Sequence, residues 1–372
     1  MSDIPAIALP DHLIPADGRF GSGPSKVDTA ALDALAATGS GFMGTSHRQE
    51  TVRSMVGIIR LGLTELYGLD DGYEVVLGVG GATAFWDCAS FGLIQRRSQH
   101  LVFGEFSSKF AAVTTAAPHL DDADVIVAEP GTHPQPRPTA DVDAYAFTHN
   151  ETSTGVTMPI IRPDGEGLVL VDATSAAGAI DVDPAQFDVY YFSPQKAFGS
   201  EGGLWVALCS AAAIERIGSI GASGRWMPAF LSLPLAVANS QLNQTYNTPA
   251  LATLFLLARQ VERMLDAGGL AWGIDRSQRS SSTIYRWAEA SDYAQAFVTD
   301  PAMRSPTVVT IDLDPSVSAD TVEAVLRANG IVDTFGYRKL GRNQLRLSCF
   351  PNIDPDDVAT LTAAIDHVVA KL

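Results

Sequence analysis

The stretch Val189-Tyr190-Tyr191-Phe192-Ser193-Pro194-Gln195-Lys196-Ala197-Phe198-Gly199 joins four consecutive apolar residues to a lysine. A short unbroken apolar run closed by turn residues reads as a strand buried on both faces, the kind found in a parallel sheet. Lys196 then stands at the end of that strand. Only five lysines occur in 372 residues: Lys26, Lys109, Lys196, Lys339 and Lys371. A chain that charges its surface with arginine and carboxylates has kept one lysine beside its apolar core, where a nucleophilic amine belongs.

Upstream, Gly167-Leu168-Val169-Leu170-Val171 is a second buried-strand pattern, and it delivers Asp172 ahead of Ala173-Thr174-Ser175-Ala176-Ala177-Gly178. Open α/β sheets hold their ligands at the C-terminal ends of strands, which is where both Asp172 and Lys196 fall. Pyridoxal phosphate (PLP) needs this pair: a lysine to bond its carbonyl carbon and a carboxylate to keep its pyridine nitrogen protonated. Taken alone, Asp172 serves equally well as the N-cap of a helix over the Ala-rich segment.

Further strand patterns run outward from these two. They are Glu74 to Gly78, His100 to Phe103, Asp124 to Val127, Ala144 to Thr148 and Gly203 to Leu208, alternating with helical spacing. That alternation predicts an α/β fold, a mainly parallel sheet with helices on both faces. From Pro249 to about Asp266 the apolar spacing is helical, with Thr248 as N-cap and Pro249 in the first turn. Beyond it, Thr307 to Ile311, a helix from Ala319 to Asn329, Gln344 to Ser348 and a last helix from Pro355 to Lys371 make a smaller α+β unit. The expected division is an N-terminal arm over 1–18, a large domain over 19–265 and a small domain over 266–372.

Composition narrows the function. The net charge of -17 argues against nucleic acid or an anionic membrane surface as a partner, because both require a basic field. No apolar run is long enough to span a bilayer. Cys88, Cys209 and Cys349 have neither metal-ligand nor CxxC spacing, so buried reduced thiols in a cytoplasmic protein are expected, with no metal site.

Gly78-Val79-Gly80-Gly81-Ala82-Thr83 follows a strand and opens a helical segment, so its backbone N–H groups suit a phosphate, although a plain tight turn fits equally. His149-Asn150-Glu151-Thr152-Ser153-Thr154-Gly155 closes another strand with several short donors. Cationic groups are scarce and clustered, at Ser46-His47-Arg48 and over Arg338, Lys339, Arg342 and Arg346. In so acidic a chain such clusters point to an anionic substrate, and Arg346, flanked by Leu345 and Leu347, is the best preorganised fork for a carboxylate.

Taken together, these motifs, with Phe20-Gly21-Ser22-Gly23-Pro24 and Tyr246-Asn247-Thr248-Pro249, resemble the phosphoserine aminotransferases, class V enzymes of PLP fold type I, along essentially the whole chain. The resemblance implies a seven-stranded large domain and a homodimer with shared active sites. It implies Lys196 as the Schiff-base lysine, Asp172 on the pyridine nitrogen, Thr152 on the phenolic oxygen and Phe106 against the ring. Gly81, Ala82 and Gln195 would hold the phosphate, joined by Asn247 and Thr248 of the partner chain. Arg346 would take the substrate α-carboxylate, and Arg338, with the partner chain's own copies of His47 and Arg48, the substrate phosphate or glutamate side chain.

Three positions depart from the family pattern. Phe106 stands where many members have Trp, Ala82 where they have Arg, and Tyr337 where they have His. Arg342 is a candidate to replace the missing charge. The implied reaction moves an amino group between glutamate and 3-phosphohydroxypyruvate, in serine and possibly pyridoxine synthesis. Two alternatives are a serine:glyoxylate-type class V aminotransferase and a non-catalytic regulatory partner of the same fold. The cationic cluster favours a phosphorylated substrate over the first, and retention of Lys196 and Asp172 argues against the second.

Overall fold

The computed structural model describes residues 4–372, so the first three residues of the expected arm lie outside the described residues. Among the described residues, twelve strands occur in chain order. They are β1 (Glu74–Val79), β2 (Ser98–Val102), β3 (Asp124–Val127), β4 (Ala144–Thr148), β5 (Asn150–Glu151), β6 (Val156–Thr157), β7 (Leu168–Asp172), β8 (Val189–Phe192), β9 (Leu204–Cys209), β10 (Ala294–Ala296), β11 (Val308–Leu313) and β12 (Gln344–Ser348).

Seven of them form one sheet in the order β1-β9-β8-β7-β4-β2-β3. Only β9 runs against the rest, since both its pairings, to β1 and to β8, are antiparallel. The expected mainly parallel α/β sheet is therefore present. Its strands are apolar on both faces because both faces are covered. Along β4, Tyr145 and Phe147 enter one helical layer while Ala144 and Ala146 enter the other, and β7 and β8 alternate in the same way. One layer is led by the helices Glu50–Tyr67 and Leu251–Asp266, the other by Gly81–Gly92 and Ala211–Ala222.

A second sheet, β10-β11-β12, is antiparallel and packs with the helices Leu270–Ala290, Ala319–Ala328 and Pro355–Val369 around its own core. Leu9 and Phe20 belong to that same core, and the Leu9 and Ala16 amides donate to Asn329 Oδ1 and Asp357 Oδ1. The N-terminal segment is thus anchored to the unit formed by the C-terminal third of the chain. Cys88, Cys209 and Cys349 are all buried free thiols. Among the described residues no helix is long and apolar enough to cross a membrane, and none of the His, Cys, Asp and Glu side chains group as a metal site.

Two local expectations change. The helix expected from Pro249 begins at Leu251, and its N-cap position is Ala250, which has no side-chain cap. Extended backbone at Ala250 delays the first turn, and the Thr248 hydroxyl instead meets His47 Nδ1 at 3.2 Å. The Ala-rich segment after Asp172 is a series of tight turns rather than a helix, so Asp172 caps no helix. Its Oδ1 accepts from the Thr174 amide at 3.0 Å.

Candidate active site

A cavity of about 400 Å³ opens at the C-terminal ends of β4, β7 and β8, within the range of ordinary cofactor sites. Its lining includes Gly81, Ala82, Phe106, Thr152, Asp172, Gln195 and Lys196, seven residues expected from sequence to meet the cofactor. Asn247, Thr248, His47, Arg48, Arg338 and Arg346 are not among the residues lining it.

Strand β7 ends on Asp172, and β8 passes through Ser193 to the turn that holds Lys196. Lys196 is only 7% exposed. Its Nζ donates to the Ser22 carbonyl at 2.6 Å and approaches Thr152 Oγ1 at 3.4 Å. Burial, assisted by the nearby Arg346 guanidinium and opposed by Asp172 and Glu151, pushes its pKa down to about 7. The amine thus loses its proton far more readily near neutrality than a free lysine does, as a nucleophile requires.

Burial pushes the Asp172 pKa up, while the Thr174 contact, the Trp86 N–H and the charge on Lys196 pull it back. Trp86 Nε1 donates to Asp172 Oδ2 at 3.1 Å, so each carboxylate oxygen has a donor. Trp86 was missed at the level of sequence because an aromatic residue inside an apolar helix is indistinguishable from core. It also lines the cavity.

Thr152 sits on a small hairpin, β5 paired with β6, that the sequence reads only as a polar loop. The Thr152 hydroxyl donates to Ser175 Oγ at 2.9 Å, and Ser175 donates to the Asn150 carbonyl. Opposite, Gly80 adopts φ 105°, a conformation glycine alone takes without strain, and starts the helix Gly81–Gly92 with its first amides at the cavity. The Phe106 ring, near the start of the helix Glu105–Ala116, has its centroid 5.7 Å from Lys196 Nζ and 6.3 Å from the Tyr337 ring.

PLP fits this arrangement on the structure's own terms. Buried Asn150 Oδ1, Thr174 Oγ1 and Gln195 Oε1 line the cavity without hydrogen-bond partners. A flat aromatic face, a buried carboxylate, a depressed lysine and a helix N-terminus surround one space of suitable size.

The remaining expected residues form an outer group. Arg346, on β12, is partly buried; Nη1 donates to the Thr152 carbonyl at 3.3 Å, the guanidinium lies 5.3 Å from the Tyr337 ring, and Nε has no partner. Arg48, Asn247, Thr248 and Arg338 are exposed. Arg342, the candidate for a missing charge, pairs with Asp312 at 2.5 Å and lies over the Phe297 ring. Lys339 pairs with Glu105.

Residues 137–339 match the model of the family described as aminotransferase class-V, and the chain belongs to that family. A phosphoserine aminotransferase of a Nocardioides species is 60% identical over 99% of both chains, and that of Rhodococcus jostii is 56% identical over 98% of both. A solved phosphoserine aminotransferase from Cytophaga hutchinsonii superposes with a TM-score of 0.86, covering 94% of this chain and 99% of its own. At 24% identity that last likeness bears on the fold alone, which is PLP fold type I. The protein is a PLP-dependent aminotransferase acting on small molecules.

Proposed function

We propose that the chain is a phosphoserine aminotransferase, moving an amino group between glutamate and 3-phosphohydroxypyruvate to give 2-oxoglutarate and O-phosphoserine. The observation that carries the chemistry is the buried Lys196 facing the same cavity as the doubly hydrogen-bonded Asp172. The two relatives at 56–60% identity support the choice of substrate.

Bound PLP supplies an electron sink for the pair of electrons left when the substrate Cα–H bond breaks. Everything else falls to the chain's own residues. Lys196 Nζ would hold the cofactor and would carry the proton to and from the substrate Cα, a task for which a pKa of about 7 suits it. Asp172, held by Trp86 and Thr174, keeps the pyridine nitrogen protonated. Thr152 orients the phenolic oxygen, and Phe106 covers one ring face. Gly81, Ala82 and Gln195 take the phosphate, largely through helix-terminal amides because Ala82 carries no charge.

Arg346 receives the α-carboxylate that every amino-acid substrate carries, with Nη1 anchored on the Thr152 carbonyl and Nε still without a partner. Arg338, His47 and Arg48 receive the distal phosphate or carboxylate. His47, Arg48, Asn247 and Thr248 cluster in space yet lie outside their own chain's cavity, which supports a homodimer in which each subunit lends them to the other. Exposed Met43, Leu242 and Tyr246 surround that cluster in sequence and suit burial in such an interface. We further propose a cytoplasmic enzyme with a large domain to about residue 265 and a small domain after it, to which the N-terminal arm is tied.

The reading is tested by mixing two inactive variants, Lys196→Ala and Thr248→Ala with His47→Ala. Shared sites predict partial recovery of activity in mixed dimers. No recovery, together with an active monomer in sedimentation, would overturn the shared site.

A further inference from the structure

Glu151, in the Asn150-Glu151-Thr152 motif, has no part in the proposed chemistry, yet it is a fully buried carboxylate at 0% exposure. A charged group so placed must be held by donors. Five groups supply them. The Phe106 amide donates to Oε2 at 3.1 Å, the Ser107 amide and hydroxyl to Oε2 at 2.9 Å each, and the Ser153 amide and hydroxyl to Oε1 at 3.2 and 2.7 Å. Ser153 Oγ in turn accepts from the Glu105 amide at 3.0 Å.

Most of these donors belong to the first turn of the helix Glu105–Ala116, whose amides have no partners within the helix. An anion there also meets the positive end of the helix dipole. The cap comes from a hairpin some 45 residues away in sequence. The fit is close: a Cβ on Gly104 would fall 2.3 Å from Glu151 Cγ and 2.6 Å from Ser153 Oγ. Glu151 therefore ties together two elements that meet the cavity from different directions, one carrying Phe106 and the other Thr152, the residue next to Glu151 itself.

We infer that Glu151 is a positioning residue that fixes the Phe106 ring relative to the Thr152 hydroxyl, and so the slot that receives the cofactor ring. This rests on the aminotransferase reading above. Turning one carboxylate oxygen into an amide N–H points a donor at donors and opens the joint, while the residues that touch substrate stay in place.

The test compares the holoenzyme of wild type with Glu151→Gln, Gly104→Ala and the milder Ser153→Ala. Each is assayed for PLP dissociation, circular dichroism in the bound cofactor's absorption band, and steady-state kinetics. Glu151→Gln and Gly104→Ala should each raise the PLP dissociation constant at least tenfold, alter the dichroic band and lower kcat, with KM for glutamate moving less than threefold. Ser153→Ala should follow in the same direction with a smaller effect. PLP affinity within twofold of wild type and an unchanged dichroic band in all three would overturn the inference, even if thermal stability fell, because Glu151 would then be only a helix cap. A wild-type chain without PLP affinity would overturn the aminotransferase reading and this inference with it, whereas equal affinity in wild type and variants overturns the inference alone.

Discussion

The floor of the cavity and the outer rim of residues beyond its lining are built differently. On the floor, Lys196, Asp172, Thr152 and Trp86 are buried and bonded to one another or to neighbouring backbone within a single chain. On the rim, Arg48, Arg338, Asn247 and Thr248 are exposed, and Arg346 has an unpartnered Nε. Groups that tune a cofactor must be desolvated and preorganised before any substrate arrives. Groups that recognise a passing anion stay hydrated until it binds.

The largest effects should come from breaking the floor. Lys196→Ala should abolish turnover, and borohydride reduction of wild-type holoenzyme should fix the cofactor to Lys196 in peptide mapping; label on Lys26, Lys109 or Lys339 would remove Lys196 from its role. Asp172→Ala should slow proton abstraction by several orders of magnitude while cofactor still binds, as stopped-flow half-reactions would report. Near-normal turnover would take Asp172 out of the site.

Rim changes should be smaller and selective. Arg346→Lys should weaken glutamate and phosphoserine alike by about 1.5 to 3 kcal/mol in kcat/KM, the worth of a charge-assisted hydrogen bond. Arg338→Ala should lower kcat/KM for phosphoserine more than for serine. An equal loss on both would shift the balance toward a serine:glyoxylate-type enzyme.

A separate effect concerns stability without cofactor. The folded Lys196 pKa lies below its unfolded value, so the unfolded chain binds the extra proton between about 7 and 10.5, and the buried amine costs stability most at and below pH 7. Apo Lys196→Met should accordingly be more stable than apo wild type near pH 6.5, with the gap narrowing as pH rises. Denaturant titrations at several pH values would check the sign.

The same contrast explains what the sequence revealed. Both strand-end residues, Asp172 and Lys196, were legible because short unbroken apolar runs mark central parallel strands and the topology aims their ends at a single place. The sheet, the Gly80 turn and most strand limits followed from local pattern. Contacts distant in sequence left no such signal: Trp86 looked like core until it met Asp172, and Glu151 like part of a polar loop until it capped a helix 45 residues earlier. Charge clusters misled in one respect, because four cations over Arg338 to Arg346 resembled a single binding patch. In the fold, Arg342 turns to Asp312 and Lys339 to Glu105, so the four cations do not form one patch.

A cavity that holds PLP and recognises a phosphorylated amino acid should show both properties in one titration of the holoenzyme, with O-phosphoserine and, separately, with serine, followed by the cofactor's absorption spectrum. Conversion to the amino form of the cofactor is expected at low phosphoserine concentration, reversed by 3-phosphohydroxypyruvate, with serine at least a hundredfold less effective. Equal conversion by serine, or no spectral change with phosphoserine, would refute that recognition.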